Sequence, residues 1–456
     1  MKFAHKSFWV FLGLLLAARL AVMTVTPVFD PSESRYAVLA ANMADSGDFV
    51  MPQFTHEGRR QSFQGKPPLL FQMGGIACKA LGRSELAVRL PSFLAFALLL
   101  VIVFRTVKKI KDAESACAAV AATASSTALY AIAGFCMTDM LLVLSVAGAI
   151  LLYLQHAQGA SRWAGYGVFA LLGMGMLVKG PIAVALFGLS VLVWTVLDKR
   201  GRALRTLPWF GGILLFLAIA VPWYALMTAR DPGFPRYFFI NENLLRFLVH
   251  DYGDRYGAGR ETFRGMAAVW FVVSTLPWCL FVIRSFTRRP WIIPPGLLSA
   301  GKLCFVSCTA ITCFWCLTSR VPLTYLAPTI PLFAVYLALH DKPGLILRVF
   351  PAVAAGAILV LCGTLLFTVL RTDKLPGRFF ADIRTELGQG ARVAFLGRQP
   401  YSAEFYMPGL LASTNAPNVH LLARTRKLQK KGDSGRPHLR AANGWTLLGP
   451  MPGDGK

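Results

Sequence analysis

The sequence predicts an all-α polytopic membrane protein with about eleven transmembrane helices, each near the twenty residues that cross a bilayer, followed by a small extramembrane α/β domain. Three observations carry this reading. Hydrophobic residues make up 55% of the 456 residues and charged residues only 15%, with a mean hydropathy of +0.54. Membrane-length apolar runs recur along the first four-fifths of the chain, and basic residues gather in alternate connections between them.

The spans are expected near 8–28, 86–104, 114–134, 140–155, 164–178, 181–197, 208–227, 266–283, 303–318, 321–339 and 349–370. Leu69 to Leu81 is apolar but too short to span, which suits an interfacial helix. The basic connections set the orientation. Lys2 and Lys6 precede the first run. Arg105, Lys108, Lys109 and Lys111 follow the second, and Lys199, Arg200, Arg202 and Arg205 form the next cluster on that side. Arg284, Arg288 and Arg289, then Lys342 and Arg348, continue it. The positive-inside rule places these in the cytoplasm. The first run is read as an uncleaved span rather than a signal peptide, because it is long and no small-x-small site precedes Asp30. Arg19 within it either snorkels or faces the bundle.

Residues 1–370 then form a membrane domain with two large outward loops, 29–67 and 228–265, and 371–456 form a small soluble outward domain. In that tail Ala391–Leu396 and Val419–Leu422 look like short strands, with Ala403–Tyr406 between them. Arg424 to Arg440 reads as a basic flexible loop. The first outward loop is about forty residues, where connections in compact bundles usually take a few. It mixes Asp30, Glu33, Arg35, Asp45, Asp48, Arg59, Arg60 and Lys66. Acids and bases together at a membrane face can hold a polar head group.

The net charge of +25 is partly topogenic, but the second outward loop also carries Arg230, Arg236, Arg246, Arg255, Arg260 and Arg264. Basic residues on the non-cytoplasmic side point to anionic lipid or phosphate ligands, not to nucleic acid. The nine cysteines lie in or beside apolar runs and form no disulfide framework; Cys313-x-x-Cys316 lacks a second pair and is not read as a metal site.

Chemistry-bearing residues collect at the outward ends of spans. Asp30 and Glu33 follow the first span and, on a helical turn, would share a face. Lys66 precedes Pro67-Pro68, which fixes the backbone where the chain re-enters the membrane. Asp139, Lys179 and Arg320 stand at three further ends. Arg35 and Tyr36 are expected to pin the loop. Glu85 and Arg89, and likewise Glu242 and Arg246, are four apart and suit helix pairs, the second of them equally a head-group contact. Trp223, Tyr224 and Trp278 suit either an interfacial belt or a sugar platform.

Motifs in order add a resemblance. The chain reads S-E-S-R-Y-A from Ser32, S-G-D-F from Ser46, G-K-P-P-L from Gly65 and G-R-S-E-L-A-V-R-L-P-S from Gly82. T-D-M at Thr138, K-G-P at Lys179, P-W-Y at Pro222, N-E-N-L-L-R-F at Asn241, Pro277-Trp278 and S-R-V-P-L-T-Y-L-A-P at Ser319 follow. This series is similar to the lipid-carrier-dependent glycosyltransferases that include bacterial aminoarabinose transferases of lipid A and, more distantly, protein O-mannosyltransferases. It covers roughly residues 1–340. Two positions depart: the family's first acid falls on Ser32, with Asp30 two residues earlier, and the acid before the lysine falls on Gly65.

The resemblance implies a GT-C fold in a bacterial inner membrane, with an active site facing the periplasm. It implies one displacement, with inversion, from a sugar on polyprenyl (undecaprenyl) phosphate to an envelope acceptor, lipid A or a related glycolipid. A protein acceptor is the alternative. Asp30, Glu33 and Asp139 are the candidate catalytic carboxylates. Lys66, Arg35, Lys179, Arg246 and Arg320 are candidates for the donor phosphate, and Tyr36, Glu242 and Tyr325 for substrate. No cofactor is required; a divalent metal on Asp30, Glu33 and Asp139 is compatible. No D-x-D or glycine-rich nucleotide-sugar motif is present in the sequence. A transporter of polyprenyl-linked lipids and a non-catalytic binder of their head groups are the competing classes.

Overall fold

The computed structural model describes residues 2–159, 161–198, 201–249, 253–257, 261–282, 293, 295–340, 343–370, 376–388, 390–426, 428, 436–442 and 444–450. Among the basic residues used for orientation, Lys199, Arg200, Arg284, Arg288, Arg289 and Lys342 lie outside the described residues, as do Arg260 and, in the expected flexible loop, 427 and 429–435.

Six described helices are long and apolar enough to cross a membrane: Lys6–Val25, Glu85–Ile110, Thr138–Ala157, Trp209–Arg230, Leu298–Cys316 and Pro343–Phe367. Leu69–Leu81, Ile182–Asp198, Met266–Thr275 and Thr329–Leu339 are shorter apolar helices. The chain is an integral membrane protein by this measure. Three expected spans are not single helices: the 266–283 run ends its first helix at Thr275 and resumes only at Cys279 after a turn. The 114–134 run is Ala113–Ser125 and Thr127–Ile132, parted at Ser126, whose backbone is extended (φ −65, ψ 125). The 321–339 run opens on a 3-10 turn at Leu323–Leu326, and its α-helix starts only at Thr329.

The chain divides into two compact units. The first holds Met1–Leu20, Gln64–Leu69 and Pro91–Val360. Its interior helix is Thr138–Ala157, 83% buried over its span, against 22% for Trp209–Arg230. The interior helix packs on Arg162–Lys179 and Ile182–Asp198. Arg19 faces this bundle rather than snorkelling: it is buried, its guanidinium lies 5.7 Å from the Tyr130 ring centroid and 5.3 Å from that of Phe135, and it donates to the Ala131 carbonyl. Trp278 is neither belt nor platform. It is 1% exposed, and its indole N–H donates to Ser125 Oγ at 3.1 Å.

The second unit holds Ala21–Phe63, Leu70–Leu90 and Leu361–Lys456. The helix Ser32–Ser46 has Pro31 before it, Glu33 in its first turn, and Gly47 in the left-handed region (φ 72) ending it with an N–H to the Met43 carbonyl. Strands β1 (Gln53–His56) and β2 (Arg59–Ser62) then pair antiparallel. Their two-residue turn, Glu57-Gly58, has positive φ at both positions (50 and 77), the twist that closes a tight hairpin. The sequence reading had no strand here, because R-R-Q-S carries no apolar alternation.

The C-terminal part is a four-stranded sheet. β3 (Arg392–Leu396) runs parallel to β4 (Val419–Arg424), and β6 (Trp445–Leu448) is antiparallel to β4 and to β5 (His438–Ala442). Phe380, Phe395, Trp445, Val393 and Leu422 form its core with the helix Pro376–Leu387. The segment between the two expected strands, Tyr401–Tyr406, is a helix, and the expected loop 424–440 ends inside β5.

Arg89 ties the second unit together. It is fully buried, and its partner is Glu33, not Glu85 four residues away. Nε reaches Glu33 Oε1 at 2.7 Å and Nη2 reaches Oε2 at 3.2 Å. The same guanidinium donates to the carbonyls of Met23, Thr26 and Pro27 at 2.9, 2.6 and 2.9 Å. These carbonyls sit at and after the end of the first helix, where no further turn supplies donors. Removing one partner of such a pair strands a buried charge at a cost of about 3–5 kcal/mol. Arg89→Met is expected to lower the thermal midpoint of the purified protein sharply, whereas Glu85→Gln, which keeps an oxygen to accept from the Tyr406 hydroxyl, shifts it little. Differential scanning fluorimetry in detergent checks both.

Candidate functional site

In the first unit two lysine–carboxylate pairs stand on elements in contact. Asp139 lies in the first turn of Thr138–Ala157, and Lys179 is the last residue of Arg162–Lys179. Each charge therefore opposes the helix-end dipole it sits on. Lys179 Nζ meets Asp139 Oδ1 at 2.9 Å and lies 4.3 Å from the Tyr325 ring centroid. Gly180 follows in a positive-φ conformation (φ +83), and a Cβ there would stand 2.6 Å from the Phe238 ring. That close approach sets the Lys179 turn against the π-helix Arg236–Leu245, which carries Glu242.

Glu242 holds the second pair. Its Oε2 accepts from Lys66 Nζ at 3.1 Å and from Arg246 Nη1 at 3.1 Å, and its Oε1 accepts from the Tyr237 hydroxyl at 3.2 Å. The carboxylate side chain is 4% exposed and the two cations 15% each, so the cations form the outer layer. The two cations share this one carboxylate. Burial works against the Glu242 charge, but Lys66 and Arg246 outweigh it and hold the carboxyl below its ordinary range. Burial and the adjacent Glu242 keep the Tyr237 phenol protonated, and thus a donor. Arg320 also pairs in this unit, with Glu261 through Nη2 at 2.7 Å and Nε at 3.1 Å. Glu261 is about half exposed, so that pair is a weaker clamp.

The other sequence candidates lie in the second unit. Asp30 precedes the first helical residue, and its partners differ from those of Glu33. Its Oδ1 accepts from Ser34 Oγ at 2.5 Å and from the Ser402 N–H at 3.1 Å, and its Oδ2 accepts from Ser402 Oγ. Asp30 is exposed, whereas Glu33 is 3% exposed and gripped by Arg89. Arg35 sits among the rings of Tyr36, Phe63 and Tyr401, each centroid 5.5–5.7 Å away. Tyr36 in turn packs on Phe63 and Phe71. Among the described residues no group of three or more His, Cys, Asp or Glu is arranged to hold a metal ion.

Helix Tyr401–Tyr406 was missed as a source of site contacts. Ser402 holds Asp30. Glu404 accepts from the Thr55 N–H at 2.9 Å and from Asn42 at 2.8 Å. The Tyr406 hydroxyl donates to Glu85 at 2.8 Å and accepts from the Val28 N–H at 3.0 Å. Arg83 donates to the carbonyls of Phe405 and Glu404 at 2.9 and 3.0 Å, and to Asp45 at 2.6 Å. A cleft of about 420 Å³ opens beside this helix, lined among others by Arg83, Glu85, Arg384, Thr385 and Tyr406. Arg83, Glu85 and Arg89 all lie in the quoted G-R-S-E-L-A-V-R-L-P-S run, which was the available signal.

Residues 65–225 match the family described as dolichyl-phosphate-mannose-protein mannosyltransferase. An undecaprenyl phosphate-alpha-4-amino-4-deoxy-L-arabinose arabinosyl transferase of Edwardsiella ictaluri is 26% identical over 276 residues, 58% of this chain and 47% of the relative. A protein of the same name from Enterobacter is 23% identical over 353 residues, 75% of this chain and 60% of the relative. The chain thus spans about half the length of the first of these curated relatives. In three dimensions it is similar to ArnT from Cupriavidus metallidurans bound to undecaprenyl phosphate, with a TM-score of 0.81 at 17% identity over 98% of both chains. The apo form of that protein gives 0.78 over 96% of this chain and 97% of the other. The resemblance to lipid-carrier-dependent glycosyltransferases holds, and the fold is GT-C.

The Glu242 cluster has a pH signature. A carboxyl with a depressed pKa stabilises the fold above the ordinary carboxylate range and loses that contribution as pH falls through its folded value. Glu242→Gln is expected to cost about 1.5–3 kcal/mol at pH 7, the worth of hydrogen bonds to a charged group. The gap from wild type should close as the pH drops below the depressed value. Melting curves of both proteins between pH 7 and pH 3 check it, and a gap that does not narrow goes against the charge assignment.

Proposed function

We propose that this chain is a glycosyltransferase that moves a sugar from undecaprenyl phosphate to an envelope acceptor, lipid A or a related glycolipid, at the periplasmic face of the bacterial inner membrane. One observation carries the reading: Lys66 and Arg246 converge on the same buried carboxylate, so an ammonium and a guanidinium stand together at one partly exposed point. A sugar phosphate is the ligand such a cluster suits. The C. metallidurans protein of the same fold holds undecaprenyl phosphate.

The chemistry follows from charge development. As the bond between the anomeric carbon and the phosphate oxygen breaks, its electron pair stays on the phosphate. Lys66 and Arg246 stabilise that growing charge more in the transition state than in the ground state. Lys179, held by Asp139 against Tyr325, is a third cation, on a contacting element. The acceptor oxygen attacks from the opposite side, so one displacement inverts the anomeric centre. A phosphate acceptor arrives ionised and needs orientation; a hydroxyl acceptor needs a base.

Of the three candidate carboxylates, Glu33 is committed to Arg89 and Asp139 to Lys179. Asp30 is exposed and oriented by Ser34 and Ser402, which suits an acceptor-facing role. Arg35, among its three rings, serves to shape the loop rather than to bind phosphate.

The test is mass spectrometry of envelope lipids and glycoproteins from cells lacking the chain, complemented with wild type, Lys66→Ala or Asp30→Asn. A sugar-sized mass on lipid A should disappear and return only with wild type. Purified Lys66→Ala should transfer about 100- to 1000-fold more slowly, as when one transition-state donor is lost. A lost mass on a protein instead would move the acceptor to the protein class. No change in any glycan would sink the transferase reading.

A further inference from the structure

Behind Lys66 lies a closed ring of hydrogen bonds that no quoted motif includes in full. Gln64 is 7% exposed and uses three groups at once. Its backbone N–H donates to the Tyr256 hydroxyl at 3.0 Å, its Nε2 donates to Asp231 Oδ2 at 2.7 Å, and its Oε1 accepts from Arg255 Nη1 at 2.6 Å. The Arg255 N–H donates to the Tyr237 hydroxyl at 3.2 Å, and its guanidinium lies 4.6 Å from the centroid of that ring. Tyr237 donates to Glu242 Oε1 at 3.2 Å, and Glu242 Oε2 accepts from Lys66 at 3.1 Å. Gly65 closes the ring through the backbone, its carbonyl also accepting from Lys66 Nζ at 2.8 Å.

The two side-chain partners of Gln64 leave no choice of residue type. Ionised Asp231 only accepts and Arg255 only donates, so the group between them must do both. A carboxylate at position 64 would face Asp231 as a like charge, and an apolar chain would leave both partners without this bond.

We infer that Gln64 is a positioning residue for Lys66: it fixes the backbone two residues upstream and, through Arg255 and Tyr237, orients the Glu242 carboxylate that aims the ammonium. This rests on the phosphate-binding role proposed for Lys66. It adds that affinity for a phosphate-bearing lipid is tuned by an uncharged residue acting through Arg255, Tyr237 and Glu242.

The experiment uses the full chain in detergent and two readouts. The first is the affinity for undecaprenyl phosphate. Gln64→Leu should weaken it about tenfold, the equivalent of one charge-assisted hydrogen bond. Gln64→Glu combined with Asp231→Asn exchanges donor and acceptor and should return affinity to within about threefold of wild type. In a Lys66→Ala background Gln64→Leu should cost nothing further. Wild-type affinity in Gln64→Leu, an equal loss in the Lys66→Ala background, or a well-folded exchange variant that is not rescued would each overturn the inference. The second readout needs no lipid: the rate at which acetic anhydride acetylates Lys66 at one fixed pH, followed by mass spectrometry. Weaker contact with Glu242 should speed acetylation in Gln64→Leu, and the exchange variant should return it to the wild-type rate. An unchanged rate in Gln64→Leu overturns the inference. If wild type binds no undecaprenyl phosphate, the donor reading fails while the labelling result still decides the role of Gln64.

Discussion

Arg89 sits with no solvent exposure, and everything near it is arranged to keep its charge affordable. A guanidinium removed from water must find an acceptor for each of its N–H groups and a counter-charge for itself. Here the acceptors are Glu33 and the carbonyls that a helix leaves unused at its C-terminal end. The result is a knot in which the end of one helix, the first turn of the next and the start of a third are held by one side chain. Asp30 lies inside that knot, between Pro27 and Glu33, so its backbone position follows from a residue that does not contact its carboxylate.

The same constraint governs the Lys66 cluster, with the opposite outcome. At Arg89 charge is balanced and solvent excluded, which gives rigidity. At Glu242 one buried carboxylate serves two cations that stay partly exposed. A chain with 47 basic and 22 acidic residues has few acids to distribute. Their placement decides which cations become structural and which stay available to an anion.

Much of the fold was legible because apolar length and helix-end chemistry are local properties. The positions of Asp139 and Lys179 at opposite kinds of helix end could be read from T-D-M and K-G-P, and α-helices occupy most of the expected spans. Partner choice was not legible. The rule of spacing four assigned Arg89 to Glu85, but the preferred carboxylate lies 56 residues away and is supplied by tertiary packing. It succeeded for Glu242 and Arg246, and missed Lys66, 176 residues distant, as the third member. The hairpin β1–β2 escaped because its pairing rests on a Glu-Gly turn rather than on apolar alternation. Gln64 escaped because an amide in a polar loop carries no signal until its two partners are seen.

The helix Tyr401–Tyr406 has a consequence for biogenesis. Ser402 reaches Asp30 across 372 positions, Tyr406 reaches Val28 across 378, and Glu404 reaches Thr55 across 349. A ribosome therefore completes nearly nine-tenths of the chain before the first outward segment can acquire these partners. Until then the Asp30 carboxylate lacks Ser402, and the Val28 and Thr55 amides lack Tyr406 and Glu404, whatever the membrane helices have already done. The clasp on Asp30 forms only once residue 402 is made, and a product cut short before residue 400 has every predicted span but lacks it.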